Sequence, residues 1–394
     1  MAEEVLAINA GSSSLKFALF ALDAADPRRL LGGQIAGIGA TPRIAHDAAE
    51  DAERFATLAA GVAGVSDHDG ALALLLDWLA KDAHHLVAAG HRVVHGGARR
   101  AAPALIDDAL IDELAALAPL APHHQPHNVA AIRALRRRAP RMPQVACFDT
   151  AFHAGQPPVA RRLGLPRAYE ARGLRRYGFH GLSYEYVAGA LPAARGGPLP
   201  ERLVVAHLGN GASMCAIRQG RSVATTMGFS TLDGLPMGTR SGAIDPGAIL
   251  YLLEEEGMDA AALTKLLYDR CGLYGLSGVS GDMKALLASD DPRAAEAVEF
   301  FAYRIGRELG SLAAALGGLD ALVFTGGIGE HAAPVRARVC QDAAWLGVVL
   351  DAAANEAGKA RISTPDSAVE AWRLATDEER VIARHTRDLI ATPT

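Results

Sequence analysis

The feature that most constrains this chain is a local pattern that occurs twice: an apolar strand, a glycine-containing polar turn, and a second apolar strand. Residues 5–9 read as a buried strand, Gly11-Ser12-Ser13-Ser14 as its turn and residues 15–22 as the partner strand. About halfway along, residues 203–208, Gly209-Asn210-Gly211-Ala212 and residues 213–217 repeat the arrangement. Stretches with apolar residues at helical spacing follow, at 71–81, 128–138, 183–190 and 294–316. Strands alternating with helices predict an α/β protein rather than a sandwich or a bundle. The 394 residues, 50% of them hydrophobic, exceed what one core usually needs. The expectation is therefore two duplicated α/β lobes facing a cleft.

The lobe boundary is expected near Asp149, after a strand at 144–148 and before a Pro-rich stretch. A helical pattern opening at Asp377-Glu378-Glu379 and running to about Ile390 is positioned to fold back onto the first lobe. The expected organisation is thus residues 1–149 with 376–394 as the first lobe and 150–375 as the second, with a short loop at 193–200.

Bulk properties exclude several classes. Net charge is −5 with both signs interspersed, which leaves no electrostatic footprint for nucleic acid. Cys147, Cys215, Cys271 and Cys340 lie far apart without CxxC spacing, arguing against a zinc site or a disulfide framework and for a reducing cytoplasm. Met1-Ala-Glu-Glu lacks a positive leader, and no apolar run approaches the ~18 residues of a membrane span. The expectation is a protein that is neither exported nor membrane-bound.

Three turns suggest phosphate chemistry, because glycines and small hydroxyl residues let backbone N–H groups converge on an anion. They are Asn9 to Ser14 followed by Lys16, the segment His207 to Ser213, and Phe324-Thr-Gly-Gly-Ile-Gly-Glu330 leading from a strand into a helix. None is a Walker P-loop.

Taken with the residues between them, these turns give a chain that resembles the acetate kinase family over nearly its whole length. The motifs are Asn9-Ala-Gly-Ser-Ser-Ser-Leu-Lys16, Gly90-His-Arg-Val-Val-His-Gly-Gly97, Ala121-Pro-His-His-Gln-Pro126, Phe148-Asp-Thr-Ala-Phe-His153 and Arg175-Arg-Tyr-Gly-Phe-His-Gly181. They continue with His207-Leu-Gly-Asn-Gly-Ala-Ser213, Met237-Gly-Thr-Arg240, the Phe324 to Glu330 turn and Thr376-Asp-Glu-Glu379. The resemblance implies two duplicated ribonuclease-H-like, actin-like ATPase lobes with an interlobe cleft. It also implies transfer of a phosphoryl group between ATP and acetate, giving acetyl phosphate and ADP, with domain closure and a homodimer formed through the second lobe.

The chemistry fits particular residues. A carboxylate acceptor is ionised at pH 7, so the enzyme needs no base; it must overcome anion repulsion and stabilise charge on the migrating group. Arginine forks suit both tasks, which makes Arg92 and Arg240 the candidates. The resemblance makes His180 a donor to the phosphoryl oxygens and His124 a second active-site histidine. Asp149 lies at a strand end, where α/β proteins place ligand-binding side chains, and is assigned to organising the metal, its waters or the nearby arginine; the resemblance makes Asn9 and Glu378 ligands of Mg2+, for which Mn2+ can substitute. On the phosphate side it adds Ser12, Ser14 and Lys16, although the two serines can also serve as local turn caps. For the nucleotide it implies His207, Asn210 and Gly211 at phosphates and ribose, Gly327, Ile328 and Gly329 beside the nucleoside, and Asp282, Met283 and Lys284 near adenine.

The chain departs from the family pattern at several places. Lys284 stands where arginine is frequent. Val94 and Phe179 fit the acyl-pocket wall, while His123 and Thr231 replace leucine and proline. Leu182, Tyr184, Ala224 and Ala243 stand where threonine, histidine and two aspartates are frequent. Other short-chain acids such as propionate, a sugar kinase of the same superfamily using Asp149 as base, and a nucleotide-switched binding protein remain alternatives at this level.

Overall fold

A computed structural model describes residues 2–46, 52–81 and 84–391; the last three residues of the expected first lobe, 392–394, lie outside it. The chain divides into two compact units, residues 1–152 with 377–394, and residues 153–376.

The first unit is built on a seven-stranded sheet of order β4-β3-β2-β1-β5-β7-β6. Its strands are β1 (Glu4–Ala10), β2 (Ser14–Ala21), β3 (Arg28–Ala36), β4 (Arg43–His46), β5 (Leu86–Val93), β6 (Ala104–Leu105) and β7 (Gln144–Phe148). β1 pairs antiparallel with β2 in the expected hairpin, and β5 and β7 continue the sheet parallel to β1. Every residue of β7 is buried, as expected of a parallel strand covered on both faces. One apolar cluster joins β1, β2 and β3 to the helices Ala52–Gly61, His68–Lys81 and Gln125–Arg138 through Leu6, Phe17, Leu58, Leu75 and Leu135.

The helix Glu378–Ala391 packs on β1, β5 and β7. Gly90 in β5 permits this, since a Cβ there would lie 2.2 Å from Thr386 Oγ1 and 2.4 Å from Ile382 Cγ2. A glycine of the Gly90-to-Gly97 motif is thus explained by helix docking.

The second unit has a five-stranded sheet of order β10-β9-β8-β11-β12, with β8 (Arg202–Leu208), β9 (Ala212–Arg218), β10 (Arg221–Thr225), β11 (Ala321–Thr325) and β12 (Glu370–Arg373). The hairpin β8-β9 is antiparallel, and β11 and β12 run parallel to β8. Relabelled by position, β3-β2-β1-β5-β7 and β10-β9-β8-β11-β12 are the same order with the same directions. The duplication suspected from two hairpins extends to five strands of each sheet, with β4 and β6 additional in the first.

The expected 193–200 loop is corrected. The helix Gly181–Arg195 runs through Pro192 and stops at Gly196, which takes φ 69° and donates its N–H to Pro192 O. Proline so near a C-terminus removes one bond without breaking the last turn, and Arg195 anchors the end on Glu370 at 2.7 and 3.0 Å.

Candidate active site

In the first unit the ends of the three adjacent parallel strands β1, β5 and β7 carry the chemistry. Asn9 and Arg92 are the penultimate residues of β1 and β5, and Asp149 follows β7 directly. Parallel pairing of β1 with β5 and β5 with β7 brings these ends together. Arg92 makes a two-pronged pair with Asp149, Nε to Oδ1 at 3.0 Å and Nη2 to Oδ2 at 2.6 Å, and its Nη1 donates to Asn9 Oδ1 at 3.2 Å. Glu378 Oε2 lies 3.7 Å from Arg92 Nε, and Lys16 donates to Glu379 Oε2 at 3.0 Å. The first turn of the C-terminal helix therefore completes the cluster.

Its charges do not balance when all are ionised: Arg92 and Lys16 face Asp149, Glu378 and Glu379. Burial pushes the Glu378 carboxyl up to about 7; Arg92 opposes that, Asp149 and Glu379 add to it, and Lys16 opposes. For Arg92 burial alone would weaken protonation, but Asp149 and Glu378 more than compensate and raise its pKa. Glu379 Oε1 is buried with no hydrogen-bond partner.

At the hairpin tip Ser12 is exposed, whereas Ser14 turns back, its Oγ 3.1 Å from where a Cβ of Gly11 would stand. Val94, 2% exposed, leaves β5 beside the helix Gln125–Arg138. Here the structure adds two residues that sequence reasoning missed. Asn128 accepts from Val94 N at 3.0 Å and donates to Ala10 O at 2.8 Å; Gln125 accepts from His95 N at 3.2 Å and donates to His95 O at 3.0 Å. They tie the exits of β1 and β5 to the helix that His123 and His124 immediately precede. Their signal was present as amides on an otherwise apolar helix face.

In the second unit His180 precedes the helix Gly181–Arg195 in the left-handed region, φ 57°. Its Nδ1 is 2.8 Å from Ser213 Oγ, and its ring stacks on His207 at 4.2 Å between centroids. Ser183 Oγ holds His207 Nδ1 at 2.8 Å. Phe179 is 1% exposed, and its carbonyl accepts from His153 Nε2 at 2.9 Å. Arg240 Nη1 donates to Thr231 O at 3.3 Å and to Met237 Sδ at 3.7 Å, so Thr231 acts on Arg240 through its backbone. Gly211 lies where these groups converge: a Cβ there would be 3.5 Å from His180 Nε2 and 3.9 Å from Arg240 Nη1.

Beside this group is a cavity of about 850 Å3, lined by Asn210, Asp282, Met283, Lys284, Gly327 and Ile328, together with Leu287 and His331, which sequence reasoning did not name. Its size suits a nucleoside. Asp282 also caps the helix Met283–Leu287, accepting from Ala285 N at 2.9 Å. Gly329 is not in the lining. It is buried against the sheet, a Cβ there meeting the Phe324 carbonyl carbon at 3.3 Å, and its carbonyl accepts from Arg336 Nη1 at 3.0 Å. Close helix–sheet packing is what requires that glycine. Arg336, 1% exposed, also reaches Glu330 O at 2.9 Å and Asn355 Oδ1 at 2.8 Å, and an arginine two residues from Arg338 in a helical stretch gave no local sign of this.

Comparison with known proteins agrees with this arrangement. Residues 4–384 match the model of the acetokinase family. The chain is 54% identical over 393 residues to an acetate kinase of Rhodopseudomonas palustris, covering 98% of each. Among solved structures it is similar to Porphyromonas gingivalis acetate kinase, with a TM-score of 0.84, 34% identity and coverage of 99% and 100%. It is also similar to a Francisella tularensis propionate kinase, with a TM-score of 0.88, 34% identity and coverage of 98% and 99%. With duplicated sheets, the motif residues gathered at their strand ends and a match along nearly the whole chain, this protein belongs to the acetokinase family.

Proposed function

We infer that this chain is a phosphotransferase with a carboxyl group as acceptor, an acetate kinase that moves a phosphoryl group reversibly from ATP to acetate. The observation that carries the reading is the convergence of His180 Nε2 and Arg240 Nη1 on Gly211, next to a nucleoside-sized cavity. Cationic and neutral donors gathered without a dedicated base match an acceptor that arrives already ionised.

In this reading the nucleoside occupies the cavity lined by Asp282, Met283, Lys284, Gly327 and Ile328. Its phosphates follow the His207-to-Gly211 turn, with Ser12, Ser14 and Lys16 as phosphate-side donors. Arg92, oriented by Asp149 and Asn9, binds the acetate carboxylate with support from His124; Val94 and His123 in the first unit, and Phe179 and Thr231 in the second, are the residues assigned to acyl selectivity. Arg240 and His180 stabilise the charge on the migrating group, and transfer is direct and in line.

A divalent cation fits the first unit's donors. Three carboxylates face two cationic side chains there, one carboxylate oxygen is buried without a partner, and the donors are hard oxygens. Among the described residues no cluster of three or more His, Cys, Asp or Glu side chains is arranged to hold a metal. Asn9 and Glu378 would thus hold Mg2+, or Mn2+ in its place, together with substrate phosphates. When bound, the ion supplies charge neutralisation on the phosphates.

The second unit also supports a homodimer. The helix Pro246–Glu254 is apolar yet has no buried residue, with Leu250 54% and Tyr251 57% exposed, a surface that suits a second copy of the chain. No helix among the described residues is long and apolar enough to cross a membrane. The four cysteines are thiols, which accords with a cytoplasmic setting.

The test measures ADP release from MgATP with acetate, propionate, butyrate, glucose or no acceptor, trapping acyl phosphate with hydroxylamine. Acetate-dependent release with trapped product is expected. Propionate is the second reading, since Thr231 and His123 alter the pocket and one methylene is worth only ~1–3 kcal/mol; a faster rate with propionate would establish it. Glucose-dependent release would favour a sugar kinase, and acceptor-independent hydrolysis a nucleotide switch.

A further inference from the structure

We propose that Tyr184 is a positioning residue for phosphoryl transfer: acting through Ser213, it fixes the neutral tautomer of His180 that carries its proton on Nε2. The inference rests on the reading of His180 as a donor to the migrating group, and concerns how this chain prepares that donor.

Tyr184 lies one helical turn after His180 and is fully buried, as is Ser213 on β9. The Tyr184 hydroxyl is hydrogen-bonded to Ser213 Oγ, and Ser213 Oγ is in turn 2.8 Å from His180 Nδ1. One serine hydroxyl therefore stands between a phenol and an imidazole. A phenol, with a pKa near ~10, is a far stronger acid than an alkanol and the better donor. Tyr184 O–H donates to Ser213 Oγ, and the Ser213 proton turns to His180 Nδ1. Nδ1 is then the accepting nitrogen and Nε2 holds the ring proton. Nε2 is the atom on the Gly211 side, where Arg240 Nη1 also approaches.

Two further groups crowd the same ring. His207 stacks on His180 at 4.2 Å, and Arg240 adds a nearby positive charge. With Ser213 donating to Nδ1, a proton on that nitrogen would break the hydrogen bond between them. On its other side Tyr184 meets the His153 ring edge-on, at 5.6 Å and 75°. His153 bonds Ser222 Oγ at 2.8 Å and the Phe179 carbonyl at 2.9 Å, and burial pushes it down to about 4, so it is neutral at physiological pH. The backbone just before His180 is thereby fixed, at a residue whose φ of 57° needs support from its neighbours. Histidine, like tyrosine, can donate a proton to Ser213, which phenylalanine cannot.

The experiment is nitrogen-15 NMR of the full-length protein labelled at histidine, with the His180 signals assigned by their loss in His180→Ala. Ring nitrogen shifts separate protonated from unprotonated nitrogen. In the unaltered protein, Nδ1 unprotonated and Nε2 protonated are expected. Tyr184→Phe should give mixed tautomers at His180 and a kcat lower by roughly tenfold, with the KM for ATP unchanged, and Tyr184→His should restore both. A native His180 protonated on Nδ1 would overturn the proposal. So would a Tyr184→Phe enzyme that loses kcat while keeping the native tautomer, since that is the signature of a purely structural tyrosine. If Tyr184→Phe does not fold, Ser213→Ala removes the same link and must likewise mix the tautomers. Acetate-dependent ADP release by the unaltered enzyme is measured alongside: its absence would sink the activity reading, while the NMR result decides the role of Tyr184 separately.

Discussion

The two units share one sheet topology but spend their strand ends differently. Asn9 pairs with Lys16 across the first hairpin, and His207 pairs with Ser213 at the equivalent place in the second. The end of β5 carries a charged side-chain cluster built on Arg92; after β11, its counterpart, comes Gly326-Gly327-Ile328-Gly329, which offers backbone. Open α/β sheets place ligands at the carboxyl ends of their strands, so both units present the same location. A small anionic acceptor is gripped by side-chain charge, whereas a nucleotide needs backbone to come close and a roomy wall. Duplication supplied the location twice, and local sequence decided what each copy holds.

The largest effects should come from the two arginines, and they should differ in kind. Both Arg92→Ala and Arg240→Ala are expected to lower kcat by about 10³-fold or more. Only Arg92→Ala should also unfold readily, because it strands Asp149, 1% exposed, at a cost of about 3–5 kcal/mol. Turnover and thermal melts of both variants check this; equal loss of stability would erase the contrast between the units.

Next in size is Gly211→Ala. Its Cβ would make ordinary contacts at 3.5 and 3.9 Å, so folding should be normal, but the methyl group fills the place where His180 and Arg240 converge. A kcat reduced on the order of 10²-fold with an unchanged melting temperature is expected, comparable with losing a transition-state donor. Unchanged kcat would move the reacting group elsewhere.

Acid sensitivity compares the units through one buried histidine each. Burial pushes His91 in the first and His153 in the second from 6.5 down to about 4. Between those values the unfolded chain takes up a proton that the folded one refuses. The stability is therefore fully present above pH 6.5 and is lost as pH falls through about 4. His91→Gln should remove about 3 kcal/mol of that acid-induced loss between pH 7 and pH 4, read from urea midpoints at each pH. An unaltered pH slope would show that His91 does not titrate this way.

The smallest change concerns Lys284 in the cavity wall. Lys284→Arg adds a planar cation able to stack on a base, worth about 0.5–1 kcal/mol, and should lower the KM for ATP two- to fivefold with kcat unchanged. A KM that does not move would place the base away from this side chain.

Much of this was legible in the chain. Both hairpins, the 144–148 strand and the helix starting at Glu378 follow from periods of 2 and 3.6 and from glycine turns, all of which are local signals. The glycine-rich segments marked Asn210, Gly327 and Ile328, and the structure gathers them with Asp282, Met283 and Lys284 around one cavity. Gln125 and Asn128 showed only as amides on an apolar helix face and Arg336 gave no local sign, because the partners of all three, mostly backbone atoms, are brought close only by packing. The family resemblance put Gly329 beside the nucleoside, whereas the structure packs it against the sheet, a distinction that the glycine-rich turn itself does not spell out.

By itself the sequence determined the strands and helices, their repetition and the residue types available at each turn. Tertiary structure decided which charges meet. Lys16 and Glu379 are 363 positions apart and bond at 3.0 Å only because Gly90 lets the last helix settle on β5. Likewise, Tyr184 becomes more than a buried aromatic only because β9 brings Ser213 to it. Periodicity is written within a few residues, whereas burial, protonation and the direction of a hydrogen bond depend on neighbours that chain folding alone assembles.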